Sequence, residues 1–111
     1  MAKSGGLNIF TTLLVAASVI AASGCVSRDA EEMAVQNCTQ LCRSYPASLE
    51  NGPCISDDNA GWNVPDWACD VVHNPRENVD NLPENQCQAF RNSKAHHFVE
   101  VDTNCSFVRM H

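Results

Sequence analysis

The chain changes its hydrophobic pattern near residue 25. Before that point, Leu7 to Ala22 carries no charge, and only Asn8, Thr11, Thr12 and Ser18 are polar. Beyond it, apolar positions are scattered and recur with a period. Ala30, Ala34, Cys38, Leu41, Cys42 and Tyr45 follow at three- and four-residue steps, the spacing of one helical face. Glu31 and Glu32 fall in the first turn and Arg43 in the last, the charge order that a helix dipole favours. With Asp29 as a cap and Pro46 as a stop, the pattern predicts a helix over 29–45.

Asn51-Gly52-Pro53 is a turn signal. Cys54-Ile55-Ser56 reads as a brief strand and Asp57 to Asp66 as a polar loop. Trp67 to His73 reads as a strand, closed by Asn74-Pro75. Pro83 suits the first turn of a second helix, which Cys87, Phe90 and Arg91 extend to residue 92. His96 to Val101 is strand-like, and Cys105 precedes a short apolar tail, Phe107-Val108. This order predicts a small disulfide-stabilised α+β domain, with two helices on a short antiparallel sheet. An all-α, disulfide-stapled fold is the alternative.

The first segment reads differently. Lys3 gives a positive start, the apolar run follows, and small residues close it: the order of a secretory signal. The run is at the short limit for a spanning helix, which needs roughly 20 residues. Ala22-Ser23-Gly24-Cys25 resembles the lipobox at which prokaryotic lipoproteins are cleaved. Ser23, Gly24 and Cys25 match that pattern, and Ala22 stands where leucine is usual. The resemblance covers the leader alone. It implies cleavage before Cys25, diacylglycerol on its thiol through a thioether, and a fatty acid such as palmitate on its new amine. Val26 after the cysteine implies the outer membrane in a Gram-negative host. The expected organisation is a signal peptide, 1–24, and one cysteine-rich domain, 25–111. Plain secretion and an uncleaved anchor are the alternatives.

Cysteine parity fits lipidation. The seven cysteines are Cys25, Cys38, Cys42, Cys54, Cys69, Cys87 and Cys105. An odd number in an exported chain leaves one thiol over, and a lipidated Cys25 leaves six for three disulfides. Cys38 and Cys42 sit one turn apart with roughly parallel Cβ vectors, so each is expected to bridge elsewhere. The helix would then be tied twice to the region from Cys54 to Cys105. A domain this small buries too little apolar surface to be stable without such staples.

Charge narrows the partners. The formal net charge is −6, and loss of Lys3 with the leader takes it to −7. Such a domain is a poor nucleic-acid ligand. It is also repelled by anionic headgroups, so the membrane is expected as a partner through the lipid alone. An envelope protein partner is compatible with this reading.

Candidate chemistry is sparse. The spacing of the cysteines does not fit a zinc site, and no Cys-x-x-Cys is present. Asp57, Asp58, Asn59, Asn63 and Asp66 could offer oxygens to calcium, but an EF-hand loop from Asp57 would need glycine at Trp62 and glutamate at Ala68. Trp62 and Trp67 flank this loop as recognition or packing aromatics. His96 and His97 would point to opposite faces of a strand and could not act together. No carboxylate pair stands in an apolar context that would raise a pKa. No catalytic residue, metal or cofactor is therefore expected. The reading is a non-enzymatic binding or structural lipoprotein, anchored at the cell membrane or outer membrane and facing away from the cytoplasm. A small secreted inhibitor or enzyme, and a calcium-stabilised adhesion module, are the alternatives.

Overall fold

The computed structural model describes residues 26–111; the leader, its cleavage motif and Cys25 lie outside them. The elements are α1 (Val26–Arg43), β1 (Trp67–Val71), two 3-10 turns (Asn78–Asn81 and Pro83–Asn85), α2 (Gln88–Arg91), β2 (His97–Val101) and β3 (Phe107–Met110). Glu31–His111 forms one compact unit. Among the described residues, no helix is long and apolar enough to cross a membrane.

α1 starts earlier than its periodicity suggests, so Asp29 stands inside its first turn instead of capping it. Ala34, Cys38 and Cys42 are buried as that periodicity requires, whereas Ala30 is exposed. The buried stripe packs in one cluster with Ile55, Val64, Cys69, Val71, Val99 and Val101. The last four come from alternate positions of β1 and β2, which place them on one sheet face. Trp62 and Trp67 pack against the same cluster. The Trp62 indole N–H donates to the Trp67 carbonyl at 2.8 Å, and the Trp67 ring stacks on His97 at 4.8 Å.

The sheet order is β1-β2-β3. It corrects the expectation of an antiparallel sheet: β1 and β2 run parallel, with Asp70 opposite Glu100, and only β2 and β3 are antiparallel. Connection length explains the mixture. Residues 72–96 provide the long crossover that parallel strands need. The β2–β3 link is instead a tight turn, in which Asp102 Oδ1 accepts from the amides of Asn104 and Ser106, each at 2.9 Å. The expected brief strand at Cys54 is a single bridge, to Asp70.

The expected helix over 83–92 is interrupted. Gln86 and Cys87 are extended between a 3-10 turn and α2. Cys87 is held there by Cys54, and the Asp57 carboxylate restarts the helix by accepting from the amides of Gln88 (2.6 Å) and Ala89 (3.3 Å).

Three disulfides join these parts: Cys38–Cys69, Cys42–Cys105 and Cys54–Cys87. The first two fasten α1 to β1 and to the β2–β3 turn. The third fastens the start of α2 beside β1.

Candidate functional site

The second sheet face carries Ala68, Asp70, Phe98 and Glu100 from alternate positions of β1 and β2. Ala68 packs there with Cys87, Ala95 and Phe98. Beside this small cluster a cavity of about 170 Å³ opens between the sheet and α2. Its walls include Asp70, Glu100, Phe90, Phe98, Arg76, Arg91 and Arg109.

Each wall residue has an identifiable support. Parallel register sets Asp70 beside Glu100, and antiparallel register sets Arg109 on the other side of Glu100. Glu100 is buried and uses both oxygens: Arg109 Nε donates to Oε1 at 2.6 Å and Arg76 Nη1 to Oε2 at 3.0 Å. This contact raises the pKa of Arg109 further. Arg91, on α2, donates from Nη1 to the side-chain oxygen of Gln86 at 2.8 Å. Phe90 meets Phe98 edge to face at 4.9 Å, and the Arg109 guanidinium lies 5.2 Å from the Phe98 ring centre.

Arg76 is aimed by a clasp in the crossover. Asp80 is fully buried there, and its carboxylate accepts from the amides of His73 and Glu77, both at 2.9 Å, and contacts His73 Nδ1 at 2.9 Å. Burial alone would raise the pKa of Asp80, but these donors together hold it below the usual carboxylate range. The same contact raises the pKa of His73. Gly52 closes the clasp in the left-handed region at φ +63°. A Cβ there would collide with Asp80 Oδ1 and come within 3.0 Å of the Val71 carbonyl. From the clasped loop, Arg76 also donates from Nε to Asn81 Oδ1 at 2.8 Å.

Asp70 is less well supported. It is only 8% exposed, and its Oδ1 has no hydrogen-bond partner among the described residues. Burial, with the neighbouring Glu100 second, pushes its pKa up to about 8. This corrects the expectation that no carboxylate pair stands in an apolar setting. Asp70 and Glu100 are thirty positions apart in sequence, and only the parallel register joins them. One signal was present, since each is a lone acid inside an apolar strand, between Cys69 and Val71 and between Val99 and Val101.

Asp57, Asn59 and Asp66, three of the five loop candidates, make structural contacts. Asp57 caps α2. Asn59 Oδ1 accepts from the Gly61 amide at 2.9 Å, and Asn59 Nδ2 donates to the Ile55 carbonyl at 2.8 Å. The Asp66 carboxylate accepts from the His96 amide at 3.0 Å and meets His96 Nδ1 at 2.6 Å and His97 Nε2 at 3.7 Å. The two histidines thus converge on one carboxylate, against expectation. β2 begins only at His97, so strand alternation does not separate them. Asp66 is held below its ordinary pKa, chiefly by the His96 ring. Cys54, Asp57 and Cys87 lie close enough to share a metal ion, but the two sulfurs are joined in a disulfide.

Comparison of the chain with protein-family models, with curated proteins and with solved structures finds no match.

Proposed function

We propose that this chain is an exported, lipid-anchored lipoprotein whose disulfide-stapled domain works as a non-enzymatic binding module at the cell envelope. The observation that carries the reading is cysteine pairing. The six cysteines from Cys38 to Cys105 bridge among themselves, so none of them requires Cys25. That agrees with an acylated Cys25 in the lipobox-like sequence Ala22-Ser23-Gly24-Cys25. Three disulfides also suit an oxidising compartment outside the cytoplasm.

Binding is favoured over catalysis by the charges at the cavity. A small secreted enzyme is the rival reading, and Asp70 favours it, because a carboxyl poised near neutrality suits a general acid. Such a mechanism also needs a second group free to act as base or nucleophile. Glu100, the adjacent carboxylate, has both oxygens engaged by arginines.

Detergent partitioning with intact-mass measurement tests the anchor. The wild-type protein should enter the detergent phase and carry the added mass of lipid. Cys25→Ser should stay aqueous or retain its leader. A water-soluble wild-type chain with an unmodified amino end at Cys25 would refute the proposal.

A further inference from the structure

The cavity beside Asp70 has the wrong charge for the protein that holds it. The chain is acidic at −6, yet three arginines line this cavity, two of them on Glu100 and the third, Arg91, on Gln86. Each guanidinium has five N–H donors in a planar fork. The contacts on Glu100, Asn81 and Gln86 leave donors unused on all three. With Asp70 neutral the four charged walls sum to +2, and with Asp70 ionised the sum is +1. The remaining wall is Gln86, Cys87, Phe90 and Phe98, with Phe90 set edge to face on Phe98. The volume, about 170 Å³, is close to the roughly 150 Å³ that admits a benzene molecule.

The second observation is Asp70 Oδ1, buried on a cavity-lining residue and without a hydrogen-bond partner among the described residues. A buried polar atom without a partner costs about 1–3 kcal/mol, and a small domain has little stability to lose. In its neutral form Asp70 offers an O–H to an incoming acceptor, as a ligand carboxylate would supply.

We propose that this cavity binds a small organic acid as its anion, about one six-membered ring in size, with the carboxylate on the arginines and Asp70 and the ring against Phe90 and Phe98. The assignment rests on the reading of the domain as a binding module and names its ligand class. It also makes binding sensitive to pH. The charged groups around Asp70 are Glu100 from β2, Arg76 and Asp80 from the crossover and, across the cavity, Arg91 from α2 and Arg109 from β3, and the titratable ring of His111 stacks on Phe98 at 5.5 Å. As Asp70 ionises above about pH 8, the donor is lost and a negative charge appears beside the ligand, so affinity falls.

Calorimetric titration of the full oxidised chain in detergent, with benzoate as the probe, tests this. Near pH 6 a dissociation constant below about 1 mM is expected, reasonable for so small a ligand. Near pH 9 binding should weaken at least about fivefold. Arg91→Gln, at an exposed position, should weaken it about tenfold near pH 6. Asp70→Asn should bind within about threefold of wild type near pH 6 and lose the decline near pH 9. Benzyl alcohol and inorganic phosphate, the neutral and the ring-free controls, should each bind at least about tenfold more weakly than benzoate. No benzoate binding at 10 mM, equal binding of either control, or an unchanged Arg91→Gln would overturn the ligand class. A decline near pH 9 that persists in Asp70→Asn would overturn the role of Asp70. Failure here with Cys25 still lipidated removes the ligand alone. A water-soluble chain that still binds benzoate removes the anchor alone.

Discussion

The two faces of the three-stranded sheet are built on opposite terms. The α1 face is apolar: Ala34, Cys38, Cys42, Val71, Val99 and Val101 pack in one cluster, and the Cys38–Cys69 bridge crosses it. The other face buries two carboxylates, one paired twice and one with an unpartnered oxygen, beneath arginines. The same two strands supply both faces, so composition and strand propensity cannot account for the difference. One face contributes stability and the other costs some. A buried acid with an unpartnered oxygen is the kind of feature found where a site is built at the expense of stability.

The largest effect that tests this comparison is reduction. The Cys38–Cys69 and Cys42–Cys105 bridges close loops of 31 and 63 residues. In the chain-entropy model each contributes roughly 4 kcal/mol. Replacing either pair by serine should lower stability by about that amount in urea denaturation, and full reduction should unfold the domain near body temperature. A pair variant within about 1 kcal/mol of wild type would mean that apolar packing alone holds α1 to the sheet.

The polar face should show the opposite sign. The folded protein binds a proton at Asp70 up to about pH 8, whereas the unfolded chain releases it near the ordinary value of 3.8. Between those values the native state holds the extra proton, so stability falls as pH rises, by at most about 1.4 kcal/mol per unit. Asp70→Asn lacks this titration. Its stability relative to wild type should therefore grow between pH 4 and pH 8, on the order of 3 kcal/mol. A difference that stays flat with pH would show that Asp70 is ionised throughout and that the polar face carries no such cost.

These two faces were unequally legible in the sequence. The α1 face was legible because a helix writes its buried stripe into local spacing, as Ala34, Cys38 and Cys42 do. The staples followed in part from the same spacing, which turned Cys38 and Cys42 toward other partners. The polar face depends on register between distant strands, and no local pattern encodes that Asp70 meets Glu100. The parallel pairing was missed for a related reason: Trp67–Val71 and His97–Val101 look alike whichever way they run, and the length of 72–96 was the available clue. Asp80 was missed because its partners, two backbone amides and the His73 ring, are brought to it by the path of the loop.

The crossover holds the clasp that aims Arg76, and Gly52→Ala tests it. The new methyl would meet Asp80 Oδ1 and the Val71 carbonyl from a backbone conformation that alanine disfavours. A loss of about 2 kcal/mol is expected, together with weaker benzoate binding as Arg76 loses its support. Full stability with weakened binding would place the clasp wholly in the service of the cavity.

The smallest expected effect concerns Asp57, where the acidic loop meets the polar face. As a calcium ligand, Asp57 would be needed only when the ion is bound. As a cap it acts always, through its contacts with the amides of Gln88 and Ala89. Loss of a capping carboxylate costs about 1 kcal/mol. Asp57→Ala should therefore lower stability by about that amount, equally with and without millimolar calcium. Because α2 carries both Phe90 and Arg91, benzoate binding should weaken slightly as the helix frays. A melting temperature of the wild-type protein that rises with calcium, and no longer does so in Asp57→Ala, would move Asp57 from the cap to a metal site. The loop would then compete with the cavity as the functional part of the molecule.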